Sequence, residues 1–130
     1  MDRRPDVNYE IIPCEYKTLI MIHEIINQLN FNIAYARKLV EEIPEEQMTH
    51  KPGIGLDNHP AFTIGHLATA YANLMNNLTG EFLLSAGFKE VFLRTGPGDP
   101  TLPNQDEQVY PSKEVLLNEL DWQHNRLVEY

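Results

Sequence analysis

Residues 58–80 read NHPAFTIGHLATAYANLMNNLTG, and their pattern decides the fold class. Ile64, Leu67, Ala68, Tyr71, Met75 and Leu78 recur at spacings of three and four, the signature of a helix with one apolar stripe. Pro60 suits a first helical turn, where its missing N–H would have had no partner, so the helix begins there with Asn58 or His59 around the cap. Gly80 after Thr79 supplies the stop, because glycine accepts the left-handed conformation that ends many helices. His66 stands off the stripe, about 200° around the helix from Ile64 at ~100° per residue, in line with Phe62, Ala70 and Asn73. A histidine on such a semi-polar face is either hydrogen-bonded locally or one corner of a metal site. The stretch alone leaves both open.

The flanking sequence is helical as well. From Tyr16 to Ile43, residues Leu19, Ile22, Ile26, Leu29, Ile33, Val40 and Ile43 mark a long amphipathic helix, closed by Pro44, with PEEQ adding a further turn. HKPGIGLDNHP is a loop by composition, and EFLLSAGFKEVFLR reads as a short helix or two turns broken at Gly87. Arg94 to Pro111 is rich in proline and glycine, and a loop of that length in a compact domain covers a site, serves an interface or moves. Helical periodicity resumes at Val115, Leu116, Leu120, Leu127 and Val128, with Ser112 as the cap. No run alternates with period two and none repeats, so the chain is all-α. The last helix is still amphipathic at Leu127 and Val128 with no stop signal after it, so its apolar face awaits a further helix.

Length and charge bound the function. A chain of 130 residues makes one domain, spanning 1–130. A net charge of −9 with no Lys or Arg cluster beyond the pair Arg3 and Arg4 excludes nucleic acid and disfavours an anionic membrane surface. The longest apolar run, Leu19 to Ile22, cannot span a bilayer, and the N-terminus has no apolar leader segment, so a cytoplasmic location is expected. The single cysteine, Cys14, has no basic neighbour to activate it and reads as a small, semi-buried residue.

Five histidines carry the remaining chemistry: His23, His50, His59, His66 and His124. None forms a His-x-x-x-His or His-Glu-x-x-His pair, so a metal site would draw its ligands from different helices. Without a Cys-x-x-Cys, the ligand set is imidazole with water or carboxylate, which suits zinc, nickel or iron(II) and leaves positions open for a substrate. His59 reads as a helix-start residue, His23 as a hydrogen-bonded packing residue, and His50 and His124 as solvated. Ser85 and Ser112 lack a nucleophile setting, and the glycine pairs GIG and TGPG do not join a strand to a phosphate-binding helix. Glu45-Glu46 and Asp106 to Gln108 read as solvated surface, and Phe88, Phe92 and Trp122 as core or dimer face.

Taken in order, ARKLVEEIPEEQMTHKPG, HPAFTIGHLATA and AGFKEVFLRTGPGDPTLPNQDEQVYPSKEVLLNELDWQHNRL resemble the DinB/YfiT-like family of four-helix-bundle proteins, from about Tyr16 to Tyr130. The resemblance implies an up-down-down-up bundle whose fourth helix is not contained in this chain. It also implies a divalent metal held by three histidines, one in the second long helix and two in a His-x-x-x-His of the fourth. His66 matches the first of these, and the other ligands are expected beyond Tyr130. Family members of known activity are mostly metal-dependent thiol transferases and isomerases, which implies a low-molecular-weight thiol as substrate, zinc or nickel as metal, and a homodimer. The rival expectation is a metal-free helical homodimer acting as an interaction module.

Overall fold

The computed structural model describes residues 13–96, 99, 101–104 and 106–130. Arg3, Arg4 and the N-terminal stretch read above for a leader segment lie outside the described residues, as do Pro97, Gly98, Pro100 and Gln105 of the long loop. Four helices follow in order: α1 (Cys14–Glu41), α2 (Pro60–Thr79), the short α3 (Phe88–Phe92) and α4 (Lys113–Glu129). Single 3-10 turns at Glu45–Gln47 and Glu107–Val109 sit before α2 and α4. No strand forms among the described residues, so the chain is all-α, as its periodicity requires. Gly80 ends α2 with φ 78°, and Ser112 caps α4 by accepting from the Val115 N–H at 3.3 Å.

The core forms where α2 lies along α4 with α3 closing one side. Ala61, Phe62, Ile64, Ala68 and Tyr71 of α2 pack with Leu116 and Leu120 of α4 and Phe88 and Phe92 of α3. The buried face of α2 is turned from the stripe read in the sequence: Leu67 and Leu78 are exposed, while Phe62, Gly65, Thr69 and Ala72 are buried. Small residues explain the turn. Gly65, Ala68 and Ala72 let neighbouring elements approach closely, which leucine on that line would prevent.

Buried polar side chains on α4 then fix the connector between α2 and α3. The Glu119 carboxylate accepts from both the N–H and the hydroxyl of Ser85, and Gln123 donates to the Leu83 carbonyl at 2.7 Å and to Glu119 at 3.0 Å. A buried carboxylate needs such donors to offset its lost hydration.

Helix α1 packs by its C-terminal part only. Val40 is buried, and Leu29, Ile33 and Ala36 are partly buried against the core. Toward the N-terminus the same stripe emerges, with Ile22 48% and Leu19 62% exposed. The reason is length: at 1.5 Å per residue, α1 is about 42 Å long and α4 only about 26 Å, so half of α1 has nothing to lie against among the described residues. For the same reason Cys14 and His23 are exposed, correcting the semi-buried and packing roles expected of them. Polar contacts register the packed part: a forked Arg37–Asp121 pair, and Lys113 Nζ donating to the carbonyls of Glu41 and Ile43 at 2.8 and 2.9 Å. Glu45, expected as plain solvated surface, accepts from the Lys113 N–H at 3.0 Å and so complements the start of α4. Trp122 is 47% exposed with Arg126 over its ring, whereas Phe88 and Phe92 are core.

His124 also departs from expectation. It is 5% exposed, with Nε2 donating to Asn30 Oδ1 at 2.8 Å and its ring edge against Tyr71. Its Nδ1 has no partner among the described residues. Gln123 and Asn125 suggested a wet face, but Gln123 is itself buried, so that face turns inward. Burial pushes the His124 imidazole below its ordinary 6.5, with the Asp121 charge acting the other way. The folded state therefore favours neutral His124, and the unfolded chain binds more protons. Stability should hold above about pH 6.5 and fall as pH drops below it. Denaturant unfolding of the chain and of His124→Gln from about pH 7 to about pH 5 tests this: the variant should show the shallower loss. Equal slopes in the two proteins would refute it.

Candidate functional site

The N-terminus of α2 is organised by His59, which is fully buried. Its backbone is extended (φ −92°, ψ 165°), and its Nδ1 accepts from the Phe62 N–H at 3.1 Å, so imidazole takes the capping role usually given to Ser or Asp. That bond places the proton on Nε2, which donates to the Asn104 carbonyl at 2.7 Å. The same carbonyl accepts from the Tyr110 hydroxyl at 2.6 Å, and the Tyr110 ring meets His59 edge-on at 4.7 Å. Asn104 and Tyr110 of the long loop are thereby tied to the start of α2. Burial lowers the His59 pKa, opposed chiefly by the Asn104 carbonyl, and keeps the ring in the neutral form that both bonds require.

One turn further along α2, Gly65 faces the Phe92 ring so closely that a Cβ on residue 65 would be driven into the ring carbons. The contact brings the Phe92 carbonyl, at the C-terminal end of α3, to His66 Nδ1 at 2.9 Å. A carbonyl only accepts, so Nδ1 carries the proton, and in the neutral ring the lone pair falls to Nε2. Nε2 has no hydrogen-bond partner among the described residues. The Phe62 ring lies parallel to His66 at 5.3 Å, and the Arg94 guanidinium sits over the same Phe62 ring at 4.5 Å.

These groups line a cleft of about 450 Å³, with His66, Phe62 and Asn73 from α2, and Arg94, Asp99 and Thr101 from the loop. Phe62, His66 and Asn73 share the semi-polar line read from the sequence, and Arg94, Gly96, Asp99 and Thr101 of the long loop form the facing wall. Arg94 Nη1 donates to the carbonyls of Leu93 and Val91 at 3.2 and 3.4 Å. Asp99 accepts from the Thr101 N–H at 2.9 Å and from the N–H and hydroxyl of Thr95 at 3.0 Å. Hydrogen bonds from Thr101 and Thr95 hold its carboxyl well below the usual carboxylate range.

Of the five histidines, His66 alone lines the cleft. His59 serves it from behind, His124 is buried between α1, α2 and α4, and His23 and His50 are exposed. Among the described residues no three His, Cys, Asp or Glu side chains gather closely enough to hold a metal ion. Sequence reading missed Arg94 and Asp99. Their only signal was membership of the Pro- and Gly-bearing loop, because which loop side chains face the cleft depends on how His59 and Tyr110 fasten it. No described helix is long and apolar enough to cross a membrane.

The Gly65–Phe92 contact generates a direct test. Alanine is the better helix former, yet Gly65→Ala should lose about 1–3 kcal/mol of stability through overpacking. Phe92→Leu in the same chain should recover part of that loss, since it removes the ring that clashes. Urea unfolding of the two single variants and the double variant measures the coupling. A Gly65→Ala chain as stable as the parent would show that the ring does not depend on glycine.

No curated protein and no solved structure matches the chain. The model of the DinB superfamily matches residues 28–130, a span that holds the C-terminal half of α1, all of α2 to α4, and every residue of the cleft. With its all-α architecture and a histidine-bearing cleft on α2, this chain belongs to the DinB superfamily.

Proposed function

We propose that the chain is a divalent-metal-dependent enzyme of the DinB type, a transferase or hydrolase acting on a small molecule, with low-molecular-weight thiols as the substrate class. His66 Nε2 is one metal ligand in this reading, and zinc or nickel, with iron(II) also compatible, is the ion. The observation that carries it is the bond from His66 Nδ1–H to the Phe92 carbonyl. Metal-binding histidines use their second ring nitrogen in this way, which fixes the tautomer and directs a basic nitrogen outward. The stacked Phe62 ring holds the imidazole plane, and Arg94, Asp99 and Thr101 of the loop line the cleft beside it. A bound ion of this kind supplies a thiolate or hydroxide at neutral pH.

The fit to a metal is that of a single ligand. One imidazole does not make a tight site, so the affinity of residues 1–130 for zinc should be weak and should depend on His66. Titration of the apo chain with zinc, followed by calorimetry, should show His66→Ala weakening binding by about tenfold or more. Thiol conjugation to a soluble electrophile, measured with and without added metal, should fall with it. Unchanged zinc affinity in His66→Ala removes the metal reading.

A second reading, a metal-free helical homodimer working by association, is favoured by α1. Its stripe of Leu19, Ile22 and Ile26 grows more exposed toward the N-terminus, an apolar face that a second copy could bury. Light scattering across micromolar concentrations should then give twice the chain mass, and Leu19→Asp with Ile22→Asp should halve it. A constant monomer mass rejects the dimer.

A further inference from the structure

We propose that the His66 cleft takes a small molecule bearing a single carboxylate, and that Arg94 anchors this carboxylate. The inference deepens the reading of the cleft as a small-molecule site and rests on it, but it does not depend on a metal.

Arg94 is held in place as an anchor would be. Its Nη1 is tethered to the carbonyls of Leu93 and Val91, and its plane lies over Phe62, so two contacts fix the guanidinium before any ligand arrives. Among the described residues no carboxylate pairs with it, and neither Nε nor Nη2 makes a hydrogen bond. The edge left open is therefore the Nε/Nη2 fork, two parallel N–H groups whose spacing matches the two oxygens of a carboxylate. Preorganisation lowers the entropy lost when that pair forms.

The other charged group of the cleft sets which anion is accepted. Asp99 stays ionised, because Thr95 and Thr101 satisfy its oxygens, and it lines the same cavity. A dianion such as a phosphate monoester meets more repulsion there than a monoanion does. The chain's net charge of −9 likewise offers no long-range attraction for anions, so recognition comes from contact with Arg94. Arg94 and His66 line the same cleft and both contact the Phe62 ring, so one small ligand in that cleft meets both. A volume of about 450 Å³ accommodates such a molecule.

The test uses the full chain, freed of metal with EDTA, and two probes that differ only in charge: N-acetylalanine and N-acetylalaninamide. Binding is followed by amide chemical shifts in proton–nitrogen correlation spectra, which also report whether each variant is folded. N-acetylalanine should bind about tenfold more tightly than its amide, as a charge-assisted fork requires. It should perturb the signals of residues 62–66 and 94–96. Arg94→Gln should erase the preference, and Arg94→Lys should retain part of it, since lysine keeps the charge and loses the fork. Equal binding of acid and amide, or a preference that survives Arg94→Gln, overturns the proposal. So does methyl phosphate binding as tightly as N-acetylalanine. Because metal is absent throughout, a chain that fails to bind zinc through His66 leaves this result unaffected, and a null result here leaves the zinc titration unaffected.

Discussion

The Phe92 ring seated on Gly65 is the contact on which the rest of the site depends. At 0% exposure Phe92 is a core residue, and only a residue without a side chain at position 65 lets it lie so close to α2. That approach fixes the height of α3 along α2 and delivers the Phe92 carbonyl to His66. The tautomer of the candidate ligand is thus set by a packing contact one residue earlier in the helix. Dispersion and the exclusion of water hold the ring, and the hydrogen bond follows at little further entropic cost.

A second fastening comes from a histidine wholly withdrawn from water. His59 joins two elements with its two ring nitrogens, receiving from the first turn of α2 and donating to the loop at Asn104. Neutral imidazole is one of few side chains with a donor and an acceptor set apart in this way, which explains a histidine where serine or aspartate would ordinarily cap. The bonds work only for the neutral ring, and burial favours that form. Arg94 and Asp99 are held locally as well, Arg94 on the Leu93 carbonyl and Asp99 by Thr95 and Thr101.

The contrast with α1 is one of packing density. Where α4 runs beside it, α1 has ion pairing, a buried valine and the Asn30–His124 bond; beyond the end of α4 its apolar residues lie exposed. Membership of the DinB superfamily rests on residues 28–130, the span that also contains the packed part of α1. Its more exposed N-terminal half lies before that span.

The sequence by itself determined the elements: the all-α class, the start of α2 at Pro60 with Asn58 or His59 around the cap, its stop at Gly80, Ser112 before α4, and His66 as the candidate ligand. These are local properties, written in periodicities and in the conformational preferences of proline and glycine, or carried by family resemblance in the case of His66. Tertiary structure alone decided which faces turn inward. Leu67 and Leu78 lost the core to Gly65 and Ala72, and His124 was buried beside the exposed Asn125, because small residues permit close approach and the nearest helix decides what is covered. It also decided the company of His66. Phe92 lies 26 residues away and Arg94 stands in a loop without periodicity, so the contacts they make with His66 and with Phe62 depend on tertiary packing such as the Gly65 contact, which no spacing in the chain encodes.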